Sequence, residues 1–430
     1  MKKYFPRYID KELKELIKSS KKIIVIDGAK GCGKTEAAMR VKKSMIRIDN
    51  KPETTIALQN DPNIVLYGEK PRLIDEWQLR PWIWNLVRHD VDDGNGCYIM
   101  TGSTTPAEDK TRHSGAGRVI RFKLRPMSWY ELGYSTGEIS LQDVLDDKIK
   151  QTKIKTILIE EKLKYLTYGG WPFLLNESEK SKQHLMKEYI ESLYTDSLLK
   201  IDGVLRDSKI GSNLLMSFAR NIGTCVPMET ILKDMKIHDT NISRQTLSAY
   251  YNALERIYVI EDLPAWSTHI RSTTQLRTGS KRYFVDPSLA VASLGLSIDK
   301  LKKDPNYCGF LFENEVVKNL RVYGEQIDAR LFYFGENTRT TKDGVKIIEN
   351  REVDIIMEFK DGSWAAFEVK YGFNDESINS GVKALNNLLK KIDFKKVSKP
   401  LSLNIITCDG FAYKRKEDGI NVIPLNVLKA

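Results

Sequence analysis

No run of eighteen apolar residues occurs in this 430-residue chain, so no membrane-spanning helix and no membrane partner are expected. The opening MKKYFPRYIDKELKEL is basic, but no apolar stretch follows it, which argues against a secretory leader. Cysteine is scarce. Cys32, Cys97, Cys225, Cys308 and Cys408 are odd in number and no two have metal-ligand spacing, which points to reduced thiols in a cytoplasm. Charge of one sign is concentrated only mildly. The net +11 resolves into 25 basic and 17 acidic groups over residues 1–135, 22 and 21 over 136–300, and 21 and 19 over 301–430. A basic average of this size does not by itself indicate nucleic acid. What is present is ordinary for a soluble globular protein, 41% hydrophobic and 29% charged. The chain is too long for one compact core, so about two to four domains are expected.

Residues 23–26, IIVI, form a continuous β-branched run, as a buried parallel strand requires. Gly28, four residues, Gly33, Lys34 and Thr35 follow, spelling G-x-x-x-x-G-K-T ahead of a stretch with helical character, TEAAMRVKKSM. Glycines let backbone N–H groups turn inward on phosphates, and a helix N-terminus adds positive potential. The pattern predicts a nucleotide cradle of Gly28, Ala29, Lys30, Gly31, Cys32, Gly33, Lys34, Thr35 and Glu36. Lys34 would reach the β- and γ-phosphates, and the Thr35 hydroxyl would hold Mg2+. The bland alternative is a glycine turn with no ligand; strand, loop and helix in register weigh against it.

Hydrolysis needs an acidic residue brought to the metal by a second strand. PRLIDEWQ, residues 71–78, is an apolar run ending in Asp75 and Glu76. Asp75 would bind Mg2+ through water and Glu76 would polarise the attacking water; the alternative is a surface pair ending a strand. CYIMTGS, residues 97–103, ends in hydroxyls. Thr101 or Ser103 would sense the γ-phosphate from a strand between the loop strand and the acidic strand, or would merely cap a turn. RHSGAGRVIRFKL offers Arg112 and Arg118. Arg118, just before a strand, is the candidate to stabilise the transition state in a neighbouring copy, against a solvated or salt-bridged role. These elements predict a doubly wound α/β parallel sheet of the P-loop NTPase kind over residues 1–135. ATP and Mg2+ are the expected cofactors, and a homo-oligomer follows if the arginine acts in trans.

PRLIDEWQ, PWIWNLVRHDVD, MTGS, HSGAGR, LRPMSWYELG, YGGWP, KRYFVDPSLA, FENEVV and EVDIIM with FEVK occur in one order. On these motifs, which span nearly the whole chain, it resembles the AAA-like P-loop ATPases of bacteria and archaea that carry a C-terminal domain similar to PD-(D/E)XK nucleases. The resemblance implies an architecture and an ATP site. The ATPase roles it carries fall on Lys34, Thr35, Asp75 and Glu76.

Residues 136–205, rich in Lys, Glu, Leu and Ile at helical spacing, predict a helical lid or linker, with Gly169-Gly170-Trp171-Pro172 as a turn. Residues 206–300 predict a winged-helix-like domain. CVPMETILKDMKI is its first helix, and NISRQTLSAYYNALERIYVIEDL the next, with Asn241 or Ser243 as N-cap. Leu247, Tyr250, Leu254 and Ile257 share one face and should be core, while Arg244, Gln245, Ser248, Tyr251 and Asn252 should point away, as toward a major groove. Residues 263–285 hold no acid and four bases, Arg271, Arg277, Lys281 and Arg282, a candidate wing along DNA phosphates. The alternative is a unit that only packs on its neighbours.

Residues 301–430 predict an α/β restriction-endonuclease-like domain. LFENEVVKNLRVYG reads as an amphipathic helix carrying Glu313, LFYFG as a strand, and REVDIIMEFKDGSWAAFEVKYG as a hairpin turning at Asp361-Gly362. A two-residue loop would put Asp354 and Glu368 on opposite faces. A three-residue loop, Lys360-Asp361-Gly362, pairs them and keeps Val353, Ile355, Phe367 and Val369 on the buried face, which the hydrophobic pattern favours. Asp354, Glu368 and Lys370 then converge as D…E-x-K. The two carboxylates would hold Mg2+, the ammonium would position a water, and Glu313 would be an extra ligand. The alternative is a cross-strand ion pair of Glu352 with Lys370.

Three functions compete: an ATPase coupled to DNA recognition and cleavage, an ATP-dependent switch whose C-terminal domain binds protein or nucleic acid without catalysis, and a structural nucleotide site. Glu76 argues against the last, because a structural site needs no water-polarising acid.

Overall fold

The computed structural model of the chain describes residues 4–430 apart from 20–21, 50, 105–116, 199–200, 202–203, 205, 238–241, 268–278 and 343–344, and the side chains of 19 and 336–351 are likewise not described. It divides into two compact units, each built from separated stretches of chain. The first comprises residues 1–127, 171–211 and 245–259; the second comprises 128–170, 212–244 and 260–430. The stretches expected to form a lid (136–205) and a winged helix (206–300) therefore each contribute to both units.

In the first unit, helix α1 (Ile9–Ser19) precedes β1 (Ile23–Asp27), whose five residues are all buried. Helix α2 (Lys34–Met39), β2 (Ser44–Arg47), β3 (Arg72–Asp75), α3 (Ile83–Asp92), β4 (Tyr98–Gly102) and β5 (Val119–Lys123) follow. The sheet order is β2-β3-β4-β1-β5 and every pairing is parallel. Parallel strands need crossover connections, and the inner ones are buried on both faces: β1, β3 and β4 are buried throughout, whereas the edge strands β2 and β5 are partly exposed. The order puts β4 between the loop strand β1 and the acidic strand β3, as expected from the sequence. Trp77, Trp84, Val87, Tyr98 and Met100 close the core on one face, with the two indoles 5.5 Å apart. Helix α4 (Glu179–Ser192) belongs to the same unit.

In the second unit, strand β6 (Ile139–Ser140) stands apart from a six-stranded sheet. That sheet contains β7 (Arg330–Lys342), β8 (Val345–Glu358), β9 (Trp364–Lys370), β10 (Leu403–Thr407), β11 (Tyr413–Lys414) and β12 (Asn421–Pro424). Its order is β11-β12-β10-β9-β8-β7. It is mixed: β9, β10 and β12 are parallel neighbours, and the other pairings are antiparallel. Strand β13 (Leu428–Lys429) pairs with β6. Ile355 opposes Phe367 and Glu358 opposes Trp364, so the hairpin takes the three-residue loop, with Gly362 at φ 83°. Val353, Ile355, Phe367 and Val369 are buried accordingly.

Helix α5 (Pro305–Glu325) departs from the expected amphipathic pattern: residues 311–324 are buried on every side. Its charged residues must then be paired internally, and they are. Lys318 donates to Asp286 and Glu315, each at 2.8 Å. Helix α6 (Asp375–Leu389) packs Ile378, Leu385 and Leu388 into the core shared by Trp364, Ile405 and Val422.

Candidate active site

The loop between β1 and α2 is shaped by close backbone approach. A side chain at Gly28 would meet the Leu124 carbonyl oxygen at 2.1 Å, and one at Gly31 would meet the Phe173 ring at 2.9 Å. Lys34, almost fully buried, donates to the carbonyls of Gly28 and Ala29, both at 2.8 Å. Thr35 donates its hydroxyl to Asp75 Oδ1 at 2.8 Å. The same carboxylate accepts from Thr101 at 2.5 Å and from Arg47 Nε at 3.0 Å.

Glu76 follows at φ 59° and ψ 36°, a left-handed conformation that costs a residue with a Cβ of order 1 kcal/mol or more. Its Oε2 accepts from Ser103 at 3.3 Å and from Gln78 Nε2. Gln78 also reaches Ser103, at 3.3 Å. Gly102 leaves room for this bridge, since a side chain there would meet Gln78 Oε1 at 2.9 Å. The two hydroxyls that the sequence offered as alternatives thus divide: Thr101 serves Asp75, and Ser103 serves Glu76.

A cavity of about 430 Å³ opens over this loop, within the size range of small-molecule sites. Lys30, Gly31, Gly33, Lys34, Thr35, Glu36 and Glu76 line one side. Tyr4, Phe5, Met127, Pro172 and Phe173 give the other an apolar and aromatic character. Arg7 ties the N-terminal segment down by donating to the carbonyls of Cys32 (2.8 Å) and Arg125 (2.7 Å). Sequence reasoning missed Tyr4, Phe5, Arg7, Arg47, Gln78 and Phe173. For Gln78 the only signal was its position in DEWQ.

Arg118 lies at the other end of the strands. The Ile23 N–H donates to its carbonyl, and β5 then runs parallel to β1 for five residues before the loop, roughly 16 Å at ~3.3 Å per residue. Its side chain pairs with Asp92. It is therefore remote from the loop of its own chain. Arg112 lies outside the described residues.

In the second unit, Asp354 and Glu313 come together, but around an ammonium, while Glu368 pairs with Lys370. Lys281 Nζ lies 2.7 Å from Glu313 Oε1 and 3.1 Å from Asp354 Oδ1, and also pairs with Glu352. Lys281 is 1% exposed. For Lys281 the expected place in a wing along phosphates is corrected here: this lysine is closed off from any backbone phosphate. Arg282 donates to the Val226 carbonyl, and Arg271 and Arg277 lie outside the described residues. The Leu263–Lys281 bridge, with amides donating both ways at 2.8 and 2.9 Å, sets the lysine against the sheet.

Asp354 Oδ2 accepts from the Val369 N–H at 2.8 Å, and Lys370 pairs with Glu368 Oε1 at 2.9 Å rather than with Glu352. Glu368 Oε2 is buried and has no hydrogen-bond partner among the described residues. Burial, with Asp354 nearby, pushes Glu368 up to about 8 and Glu313 up to about 7. Burial opposes the Lys281 charge, but Glu313, Tyr283, Asp354 and Glu352 outweigh it and raise its pKa well above the usual value. Among the described residues, no group of three or more His, Cys, Asp or Glu side chains is arranged to hold a metal ion.

The helix Arg244–Arg256 buries Leu247, Tyr250 and Leu254, and Ile257 just beyond it is buried too, as expected. Arg244, Gln245 and Asn252 are exposed and Ser248 is half-buried. Tyr251, expected to face outward, is 8% exposed: the apolar stripe is wider than the sequence spacing suggested. Asn241 lies outside the described residues, and the helix starts directly after Ser243.

Residues 20–133 match the family described as AAA domain. Residues 159–300 and 308–428 match two domains of unknown function, DUF8612 and DUF4143. No curated protein matches the chain. Among solved structures it is similar to the Walker-type ATPase PABY2304 of Pyrococcus abyssi, at 13% identity over 67% of this chain and 96% of that one, with a TM-score of 0.42. It is also similar to the STAND protein PH0952 of Pyrococcus horikoshii, which has a tetratricopeptide repeat sensor. There identity is 16%, 76% of this chain and 50% of that one are covered, and the TM-score is 0.27. AMPPCP-bound DnaA from Aquifex aeolicus matches at 16% identity over 57% of this chain and 86% of that one, with a TM-score of 0.24. The AAA match and the all-parallel sheet with its phosphate-loop sequence identify the first unit as carrying an AAA-like P-loop ATPase domain. No described helix is long and apolar enough to cross a membrane.

Proposed function

We propose that the chain is a Mg2+-dependent ATPase whose nucleotide lies on the loop Gly28–Thr35, with its base against Phe173 and the Tyr4-Phe5 segment. Lys34 turns from the loop carbonyls to the β- and γ-phosphates, and Thr35 with Asp75 holds the metal. Glu76, oriented by Gln78 and Ser103, polarises the attacking water. The observation that carries this reading is the contact between Thr35, in the first turn of α2, and Asp75, at the end of β3, which meet where the metal is needed. Arg118 serves a neighbouring copy, since it is remote from its own loop, which makes the working form an oligomer. Nucleotide binding and turnover of the full chain test the proposal: Lys34→Ala should lose binding, and Glu76→Gln should bind ATP but turn it over slowly. Wild-type protein that binds ATP without any turnover would leave only a structural nucleotide site.

Residues 1–135 are read as the ATPase domain and 301–430 as a nuclease-like domain, with a lid (136–205) and winged helix (206–300) between them. The buried ammonium of Lys281 among Glu313, Glu352 and Asp354 favours the second reading of the C-terminal part, a binding module without cleavage. DNA is the partner proposed for it and for the exposed Arg244, Gln245 and Asn252. ATPase rates with single- and double-stranded DNA at several salt concentrations test this. Stimulation that falls with salt supports phosphate contact, and no stimulation by either form removes DNA as the partner.

A further inference from the structure

A buried lysine with three carboxylates around it satisfies itself completely. An ammonium has three N–H donors and no acceptor. Lys281 meets Glu313 at 2.7 Å, Asp354 at 3.1 Å, and Glu352, so none of its donors is left over. It is 1% exposed and is held by the two-way backbone bridge to Leu263. One carboxylate oxygen of the cluster is different: among the described residues nothing donates to the buried Glu368 Oε2, although Oε1 is taken by Lys370.

The cluster therefore has the donor chemistry of an oxygen-ligand cation site, carboxylates from a helix and two adjacent strands, but not its arrangement: the carboxylates are set on a side chain that supplies the positive charge. A divalent ion brought to Glu313 and Asp354 would stand within a few ångströms of that ammonium. Like charges at such separation repel strongly, and more so away from water.

We propose that Lys281 is a built-in stand-in for a divalent cation, and that Glu313, Asp354 and Glu368 take a Mg2+- or Mn2+-class ion only when its ammonium is removed. The inference deepens the non-catalytic reading of the C-terminal part. It is read by metal binding rather than by DNA cleavage, so the two fail separately: cleavage by the unaltered protein would end that reading, whatever the metal titration gives.

The test is a titration of the nucleotide-free full chain with Mn2+ alone, followed by the loss of the free-ion electron paramagnetic resonance signal and by thermal shift. The unaltered protein should show no Mn2+ binding that depends on Glu368, so it and Glu368→Gln should titrate alike. Lys281→Met should gain one Mn2+ per chain, at least tenfold tighter than anything the unaltered protein shows. Adding Glu368→Gln to it should abolish the gain. Mn2+ binding by the unaltered protein that Glu368→Gln abolishes would overturn the proposal, as would a folded Lys281→Met that gains no site. If Lys281→Met does not fold without metal, recovery of its fold by Mn2+ supports the proposal. If it folds under neither condition, the comparison of unaltered protein with Glu368→Gln decides alone.

Discussion

Thr35 donates its hydroxyl to Asp75 Oδ1 across 2.8 Å, joining the end of the phosphate loop to a strand that is not its sheet neighbour. Strand β4 lies between, and it sends Thr101 to the same oxygen. Asp75 is thus fixed by donors from three strands or their loops before any ligand arrives. Such prior fixing limits the reorganisation needed when charge develops. Thr35→Ala should retain ATP binding at high Mg2+ but need about tenfold more Mg2+ for half-maximal turnover, measured as the ATPase rate against Mg2+ concentration. An unchanged Mg2+ requirement would remove Thr35 from the metal.

Gln78 and Gly102 work as a pair on Glu76. Gln78→Ala should lower kcat about tenfold or more while leaving KM for ATP nearly unchanged, because it frees the carboxylate without touching the loop. Gly102→Val should mimic it, since a side chain at 102 runs into the glutamine. A rise in KM with kcat intact in either variant would place the defect in binding instead.

Phe173 tests where the base lies. Truncation to Ala removes a ring from the apolar wall of the cavity and should raise KM for ATP about tenfold, with a smaller change in kcat. If KM for ATP and for inorganic triphosphate rise together, the ring supports the loop through Gly31 rather than the base.

Arg118 predicts complementation. Arg118→Ala and Lys34→Ala should each be nearly inactive alone. Mixed, they should recover part of the rate, because one chain keeps the loop and the other keeps the arginine. Absence of recovery, or full activity of Arg118→Ala alone, would remove the arginine from catalysis.

The buried pair Asp286–Lys318 sets an acid limit for the second unit. Asp286 is fully buried and also accepts from Gly170 N–H (2.9 Å) and the Ser288 hydroxyl (2.6 Å). Burial raises its pKa, but Lys318 and these hydrogen bonds outweigh that and leave it below the usual value. A depressed acid contributes stability that is present above its unfolded pKa and lost as pH falls through the folded one. Denaturant melts should therefore show wild-type stability falling below about pH 4, with Asp286→Asn showing less of that fall. At pH 7, Asp286→Asn should cost about 3–5 kcal/mol by leaving Lys318 half-paired. Parallel pH profiles for the two proteins would refute the assignment.

The phosphate loop and DEWQ were legible because their chemistry is local: glycines, lysine and hydroxyl in one turn, and two acids ending one apolar strand. The β8–β9 register was legible too, since one register buries Val353, Ile355, Phe367 and Val369 together. Arg47 was not, because its value depends on β2 lying beside β3, where it stands opposite Asp75. Lys281 was misread for the same reason. Its neighbours in sequence are basic, while two of its carboxylate partners lie 32 and 73 residues away. Tyr251 and helix α5 were misjudged because three- and four-residue spacing marks one buried stripe but not whether the opposite side is covered as well.

Titration calorimetry of the full chain with ATP and Mg2+ bears most directly on the nucleotide site. The account predicts one nucleotide per chain for both wild-type and Glu76→Gln protein, and none for Lys34→Ala. A folded wild-type protein that gives no binding heat with ATP and Mg2+ would contradict it.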